Sequence, residues 1–132
     1  MTIEQRKKVL IVDDEEITRM VMQRNVTIAG YDVIVASNGR EAMRKIHDSP
    51  PDLIVADLMM PDMNGFEMCR RVRENEQTKK TPVIVVSALQ SESDVEEAKL
   101  SGADLYLTKP IPSEEFINHV KKYLGSPFKT SP

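Results

Sequence analysis

Apolar residues fall in five short runs, at 9–12 (VLIV), 33–36 (VIVA), 53–56 (LIVA), 83–86 (VIVV) and 105–107 (LYL). The runs are rich in valine and isoleucine and do not alternate with polar residues, which is the pattern of strands covered on both faces and therefore of a parallel sheet. The intervening segments carry apolar residues at helical spacing: Ile17, Val21 and Ile28; Ala42, Met43 and Ile46; Phe66, Cys69 and Val72; Val95 and Ala98; Phe116, Ile117, Val120 and Leu124. Gly30 closes the first helical stretch, Pro50 and Pro51 precede the third strand, Pro82 opens the fourth, and Gly102 follows the fourth helix. Strand and helix thus alternate five times, which predicts an α/β fold with helices on both faces of an open sheet.

Ligands of such sheets bind where strands end at their carboxyl edge. Asp13 and Asp14 follow the first run, Asp57 the third, Ser87 the fourth and Lys109 the fifth. In a parallel sheet these converge, and carboxylates brought that close repel unless a cation sits among them. An all-oxygen set without histidine or cysteine favours Mg²⁺, Ca²⁺ or Mn²⁺ over zinc, and a small set with room for waters and a phosphate favours Mg²⁺. Anions for a metal, a hydroxyl at Ser87 and a cation at Lys109 suit a phosphoryl group, which a carboxylate can accept as an aspartyl-phosphate.

With 132 residues, 40% hydrophobic and 30% charged, the chain is expected to fold as one domain over 8–124, after an N-terminal segment 1–7 and before a flexible tail or linker, 125–132. A formal net charge of -3 with both signs interspersed offers no field to gather nucleic acid or anionic lipid. No run approaches the roughly 18 apolar residues of a membrane span, so the expected location is cytoplasmic, with neither nucleic acid nor membrane as a direct partner. Cys69, the single cysteine, has no disulfide partner and reads as a small core residue near Phe66 and Val72.

The stretches VLIVDDE, DLMMPDMNG, VIVVSA and GADLYLTKP resemble the receiver domain of bacterial two-component response regulators, over nearly the whole chain from Lys8 to Leu124. The resemblance implies a flavodoxin-like (βα)5 receiver fold, a five-stranded parallel sheet in the order 2-1-3-4-5. It implies Asp57 as phospho-acceptor, Asp14 as direct metal ligand, Asp13 as a ligand through water, and the Met59 backbone carbonyl as a further ligand to Mg²⁺, for which Mn²⁺ can substitute. Lys109 would contact a phosphoryl oxygen, and its bond to Pro110 would be cis. Ser87 and Tyr106 would form a switch pair acting on the surface of the fourth helix, fifth strand and fifth helix. Implied partners are a histidine kinase or histidine phosphotransfer protein as donor, and a downstream protein or output domain, or a second copy through that surface, as target. The chain would then be a regulator, not an enzyme of metabolism. Apolar Met59 and Leu89, two residues after the acceptor and after the switch hydroxyl, predict slow loss of phosphate.

Plainer readings stand beside these. Asp13 to Glu16 suit a helix amino terminus, Ser87 a helix cap, Lys109 a solvated amine and Tyr106 a strand. A phosphorylation-independent docking module and an aspartyl-phosphate phosphohydrolase remain rival functions, the latter opposed by Met59, where a second acid would be needed. His47 and His119 read as solvated or boundary residues, and Met20, Met22 and Met43 as packing for helix cores or edges. Asn25 interrupts the apolar pattern between Val21 and Ile28.

Overall fold

Each valine-rich run extends as a strand and each periodic stretch coils, in a computed structural model that describes residues 5–88 and 91–129. The order is β1 (Lys8–Val12), α1 (Glu16–Ile28), β2 (Asp32–Ala36), α2 (Gly39–Asp48), β3 (Leu53–Asp57), α3 (Gly65–Glu74), β4 (Val83–Ser87), α4 (Glu92–Ser101), β5 (Leu105–Thr108) and α5 (Ser113–Leu124). The strands pair in parallel as β2-β1-β3-β4-β5, the order the resemblance implies. Among the described residues no helix is long and apolar enough to cross a membrane.

Alternation along the strands divides the interior in two. Val9, Ile11, Val55, Ile84, Val86 and Leu107 point to the layer of α1 and α5, meeting Met22, Val26, Phe116 and Val120. Leu10, Val12, Ile54, Ala56, Val83 and Val85 point the other way, to Ala42 and Ile46 of α2, Phe66, Cys69 and Val72 of α3, and Ala98 of α4. The three inner strands are therefore dry on both faces, and each buried aliphatic side chain contributes about 1.5–3 kcal/mol. Cys69 is a core residue as expected, 1% exposed, and burial pushes its thiol up to about 11. The helix α4 is lightly held, since it buries only two small side chains, Ala98 and Ser101, and Leu100 on its outer side is 80% exposed.

Two expectations fail. The sheet-facing stripe of α1 is Met22 and Val26, whereas Ile17, Val21 and Ile28 lie outward at 78%, 49% and 72% exposure. Met20, expected to pack, is likewise 56% exposed. The helix has apolar residues on two neighbouring stripes, and periodicity does not say which one the sheet covers. Asn25 sits where α1 meets α5 and donates from Nδ2 to Ser113 Oγ at 2.9 Å, which accounts for a polar residue in that pattern.

Of the segment 125–132, residues 125–129 lie against the amino-terminal segment, and 130–132 lie outside the described residues. Lys7 N–H donates to Pro127 O at 2.6 Å and Lys129 N–H to Gln5 O at 2.8 Å, with Arg6 stacked 5.1 Å from the centre of the Phe128 ring. Tyr31 Oη donates to Gly125 O at 2.5 Å, and Lys7 Nζ donates to Leu124 O. Backbone donors and acceptors near the sheet's amino edge thereby find partners that a solvated linker would leave to water.

A polar hub holds the far end of β4. The guanidinium of Arg73 donates to Gly102 O at 3.0 and 2.8 Å, to Thr81 O at 2.6 Å and to Asp104 Oδ2 at 2.8 Å, and that same Oδ2 accepts from Val83 N–H at 2.8 Å.

The reassignment of α1 is checked by denaturant unfolding of two variants. Val26→Ala, which empties a dry site, should cost about 2 kcal/mol, whereas Ile28→Ser should change stability by less than about 0.5 kcal/mol.

Candidate functional site at the carboxyl edge of the sheet

Register brings the strand ends level. Val12 lies beside both Ala36 and Ala56, Asp57 beside Val86, and Ser87 beside Thr108. Asp57 and Ser87 are thus the last residues of β3 and β4, while Asp13 and Lys109 follow β1 and β5 directly. Asp13 prolongs the ladder by donating its N–H to Ala36 O at 3.1 Å. The Lys109–Pro110 peptide is cis.

Three carboxylates meet there: one oxygen each from Asp13, Asp14 and Asp57 lie within 4.8 Å of one another. Asp13 is 0% and Asp57 6% exposed, while Asp14 stands at the rim. Both oxygens of Asp13 are engaged, Oδ1 accepting from Glu15 N–H at 2.9 Å and Oδ2 from Lys109 Nζ at 2.9 Å. The ammonium also lies 3.6 Å from Asp57 Oδ2 and 3.6 Å from Glu15 Oε1. Asp57 Oδ1 accepts from Met59 N–H at 3.3 Å. Sequence reasoning saw Glu15 only as an acid at a helix start, and it missed Arg19, which donates to Asp13 O at 2.9 Å from one turn along α1.

Burial is the stronger force on Asp57. It pushes the carboxyl up from 3.8 to about 6; Lys109 and the Met59 N–H pull it down, and the charges of Asp13 and Asp14 push it up further. For Lys109, burial pulls the amine down, but the bond to Asp13 and the charges of Asp57, Asp13 and Glu15 outweigh it, leaving the group above its ordinary value. One ammonium thus faces an excess of carboxylates. Oxygen donors in carboxylate excess, buried and held without histidine or cysteine, fit a hard divalent cation, so the cluster could hold a metal ion such as Mg²⁺.

Glycine lets α3 start close behind β3. A Cβ on Gly65 would stand 2.9 Å from Asp57 O and 3.0 Å from Leu58 Cα, inside any tolerable contact. On the α2–α4 face of the sheet lie Ser87, 0% exposed, and Tyr106, half-buried. Tyr106 pairs with Val85, two residues before Ser87 on the neighbouring strand. Beside Tyr106 a cavity of about 170 Å³ opens between α4 and β5, lined also by Val95, Ala98, Lys99 and Ala103. His47 is exposed and His119 faces Glu115 at 4.0 Å, both outside the acid cluster. Leu89 lies outside the described residues.

A family model described as the response regulator receiver domain matches residues 9–121. The alkaline phosphatase synthesis transcriptional regulatory protein PhoP of Bacillus subtilis is 42% identical over 89% of this chain, which spans only 48% of PhoP. Protein PilG of Pseudomonas aeruginosa is 35% identical, covering 90% of this chain and 88% of its own length. The polar-differentiation response regulator DivK of Brucella anthropi is 33% identical, with 90% and 97% covered. Among solved structures, the chemotaxis response regulator CheY4 of Vibrio cholerae superposes with a TM-score of 0.86 at 35% identity, over 91% of this chain and 100% of that one.

The raised Asp57 carboxyl has a thermodynamic consequence. Its folded value, about 6, lies above the unfolded 3.8; ionised Asp57 therefore costs stability fully above pH 6, and that cost fades as pH falls toward 4. The rise of roughly two units corresponds to about 3 kcal/mol at most. In chelator at pH 7.5, Asp57→Asn should raise the melting temperature by several degrees, on the order of 5 °C, and the difference should shrink toward pH 4. Equal melting temperatures at pH 7.5 would contradict the burial argument.

Proposed function

The chain belongs to the response regulator receiver domain family of two-component signalling, and from that premise we propose that it is a switch operated by phosphorylation of Asp57. The observation that carries this reading is a buried carboxylate at a strand end, 6% exposed, with the Lys109 ammonium 3.6 Å away and two further carboxylates around it. The donor is a phosphohistidine of a kinase or phosphotransfer protein. An Asp57 carboxylate oxygen attacks phosphorus, the O–P bond forms as the N–P bond breaks, and the imidazole leaves with the electron pair and takes up a proton.

Asp14 and Asp57 would hold Mg²⁺, or Mn²⁺ in its place, with the Met59 carbonyl, and Asp13 through water. That division fits Asp13, whose two oxygens are already engaged, and Asp14, which stands at the rim. When bound, the ion supplies positive charge against the phosphoryl oxygens. The chain's own contributions are separate: Lys109 offers a fixed cation at a phosphoryl oxygen, and the Met59 N–H steadies the carboxylate.

The response runs through Ser87 and Tyr106. The Ser87 hydroxyl turns to the new phosphoryl oxygen, and the Tyr106 ring settles inward, redrawing the surface of α4, β5 and α5. Space beside Tyr106 and the light anchoring of α4 support this route, because a lightly packed helix is the element one bond can bias. A downstream protein or output domain, or a second copy of the chain, docks on that surface. PhoP carries further sequence beyond the matched half, so an output attached to this chain belongs to the same proposal.

The donor has its own approach. A groove of about 510 Å³ between α1 and the start of α5, lined by Ile17, Val21, Pro110, Ile111 and Phe116, runs up to Lys109. A donor must bring its phosphohistidine to Asp57, and the outward apolar stripe of α1 borders that path. The domain works in the cytoplasm and turns over no metabolite. Met59, 61% exposed beside the acceptor, has no acid to protonate a leaving group or orient water.

Incubation with Mg²⁺ and acetyl phosphate should yield one hydroxylamine-labile phosphate, detected as a mass increase, with none formed on Asp57→Asn. Label persisting in that variant would sink the reading. Met59→Asn should shorten the phosphoryl lifetime by about tenfold, since its amide can orient water; an unchanged lifetime would remove Met59 from the account.

A further inference from the structure

The metal ligand assigned to the β3–α3 loop is a backbone carbonyl, and a carbonyl is only as well placed as its loop. Residues 58–64 join β3 to α3, and the base of the loop is closed by Gly65 N–H donating to Leu58 O at 3.0 Å and Leu58 N–H to Val86 O at 3.3 Å. Met59 stands between that base and the loop tip, its side chain 61% exposed and therefore not packed in place.

The tip is fastened to a different element. Asp62 Oδ1 accepts from Gly39 N–H at 3.1 Å and Oδ2 from Arg40 N–H at 2.8 Å, so one carboxylate satisfies the first two backbone donors of α2. The next donor, Glu41 N–H, is met from within the helix by Asn38 Oδ1 at 2.8 Å. These bonds from Arg40 and Gly39 hold the Asp62 carboxyl below its ordinary value. Met63, buried, sits against Gly39 so closely that a Cβ there would stand 2.7 Å from Met63 Cβ. Glycine at 39 is needed for this close approach, and no other residue type leaves the space.

We propose that the amino terminus of α2 is the positioning element for the Met59 carbonyl, acting through the Asp62 carboxylate and the Met63–Gly39 contact. Asp62 is a positioning residue, its two oxygens taken up by amide groups of α2. The inference rests on the reading of the carboxyl edge as a Mg²⁺ site. Without the clamp, the loop samples conformations that metal binding must then remove, and that ordering cost lowers affinity. Asp62 also brings α2 into the circuit, because a helix with its first donors bound to the loop tip cannot shift independently of the metal ligand.

Calorimetric titration with Mg²⁺ tests this on four proteins whose melting temperatures are measured in parallel. Asp62→Ala should weaken Mg²⁺ binding by about tenfold, the scale on which outer partners of metal ligands act. Gly39→Ala, which displaces Met63, should weaken it in the same direction. Asp62→Asn keeps one acceptor oxygen, turns an amide N–H₂ toward the other α2 donor and loses the charge, so its Mg²⁺ binding should fall between the parent and Asp62→Ala. Asn38→Ala removes a cap of the same helix without touching the loop; it should lower the melting temperature while leaving Mg²⁺ affinity within about twofold. If Asp62→Ala binds as the parent does, or if its loss disappears at high salt, positioning is overturned, the second result making the effect one of charge. If the parent binds no Mg²⁺, the metal reading itself has failed, an outcome distinct from both.

Discussion

The contact between Lys109 and the buried carboxylates of Asp13 and Asp57 is the interaction on which the carboxyl edge depends. A carboxylate at 0% exposure and a second at 6% would each cost several kcal/mol to ionise without a cation at hand. The ammonium serves both, and Glu15 as well, so it cannot neutralise the cluster. Burial, which one shared ammonium does not offset, leaves the Asp57 carboxyl at about 6, against an ordinary 3.8. A site built with too little positive charge is one that a hard divalent cation can complete.

The rest of the fold holds that edge tightly at the acids and more lightly at α4. Strands dry on both faces fix the heights of Asp13, Asp57 and Ser87, and the bond from Lys109 N–H to Ser87 O sets that of Lys109. Gly65 brings α3 against β3, and Asp62 fastens the intervening loop to α2. In contrast, α4 buries only Ala98 and Ser101 and leaves a cavity beside Tyr106. Its carboxyl end is not free, since Arg73 grips Gly102 O twice. Motion of α4 is therefore cheapest at the end nearer the site. The termini, paired through Lys7 with Pro127 and Gln5 with Lys129, close the opposite edge of the sheet.

Much of this was legible in the residue pattern because the signals are local. A strand dry on both faces must be continuously apolar, so β1, β3 and β4 stood out, and the charged or hydroxylic residue ending each run marked the edge. Parallel pairing then follows from strands separated by helices, and with it the meeting of Asp13, Asp57, Ser87 and Lys109. The outer face of α1 was misread because Ile17, Val21 and Ile28 have the same period as Met22 and Val26. The hydrogen bonds of Pro127 with Lys7 and of Lys129 with Gln5 were not legible, because composition does not encode backbone pairing.

By itself the sequence determined the order of elements, the two-sided burial of the inner strands and the set of residues at their ends, all consequences of period and chain direction. Tertiary structure alone decided which stripe of α1 the sheet covers, that Asp13 and not Asp14 is the buried acid, and that Asp62 reaches the amide groups of α2. Those outcomes turn on which neighbour occupies the space beside a residue. A contact between residues as far apart in sequence as Asp62 and Gly39 has no period of its own, and only packing brings it about.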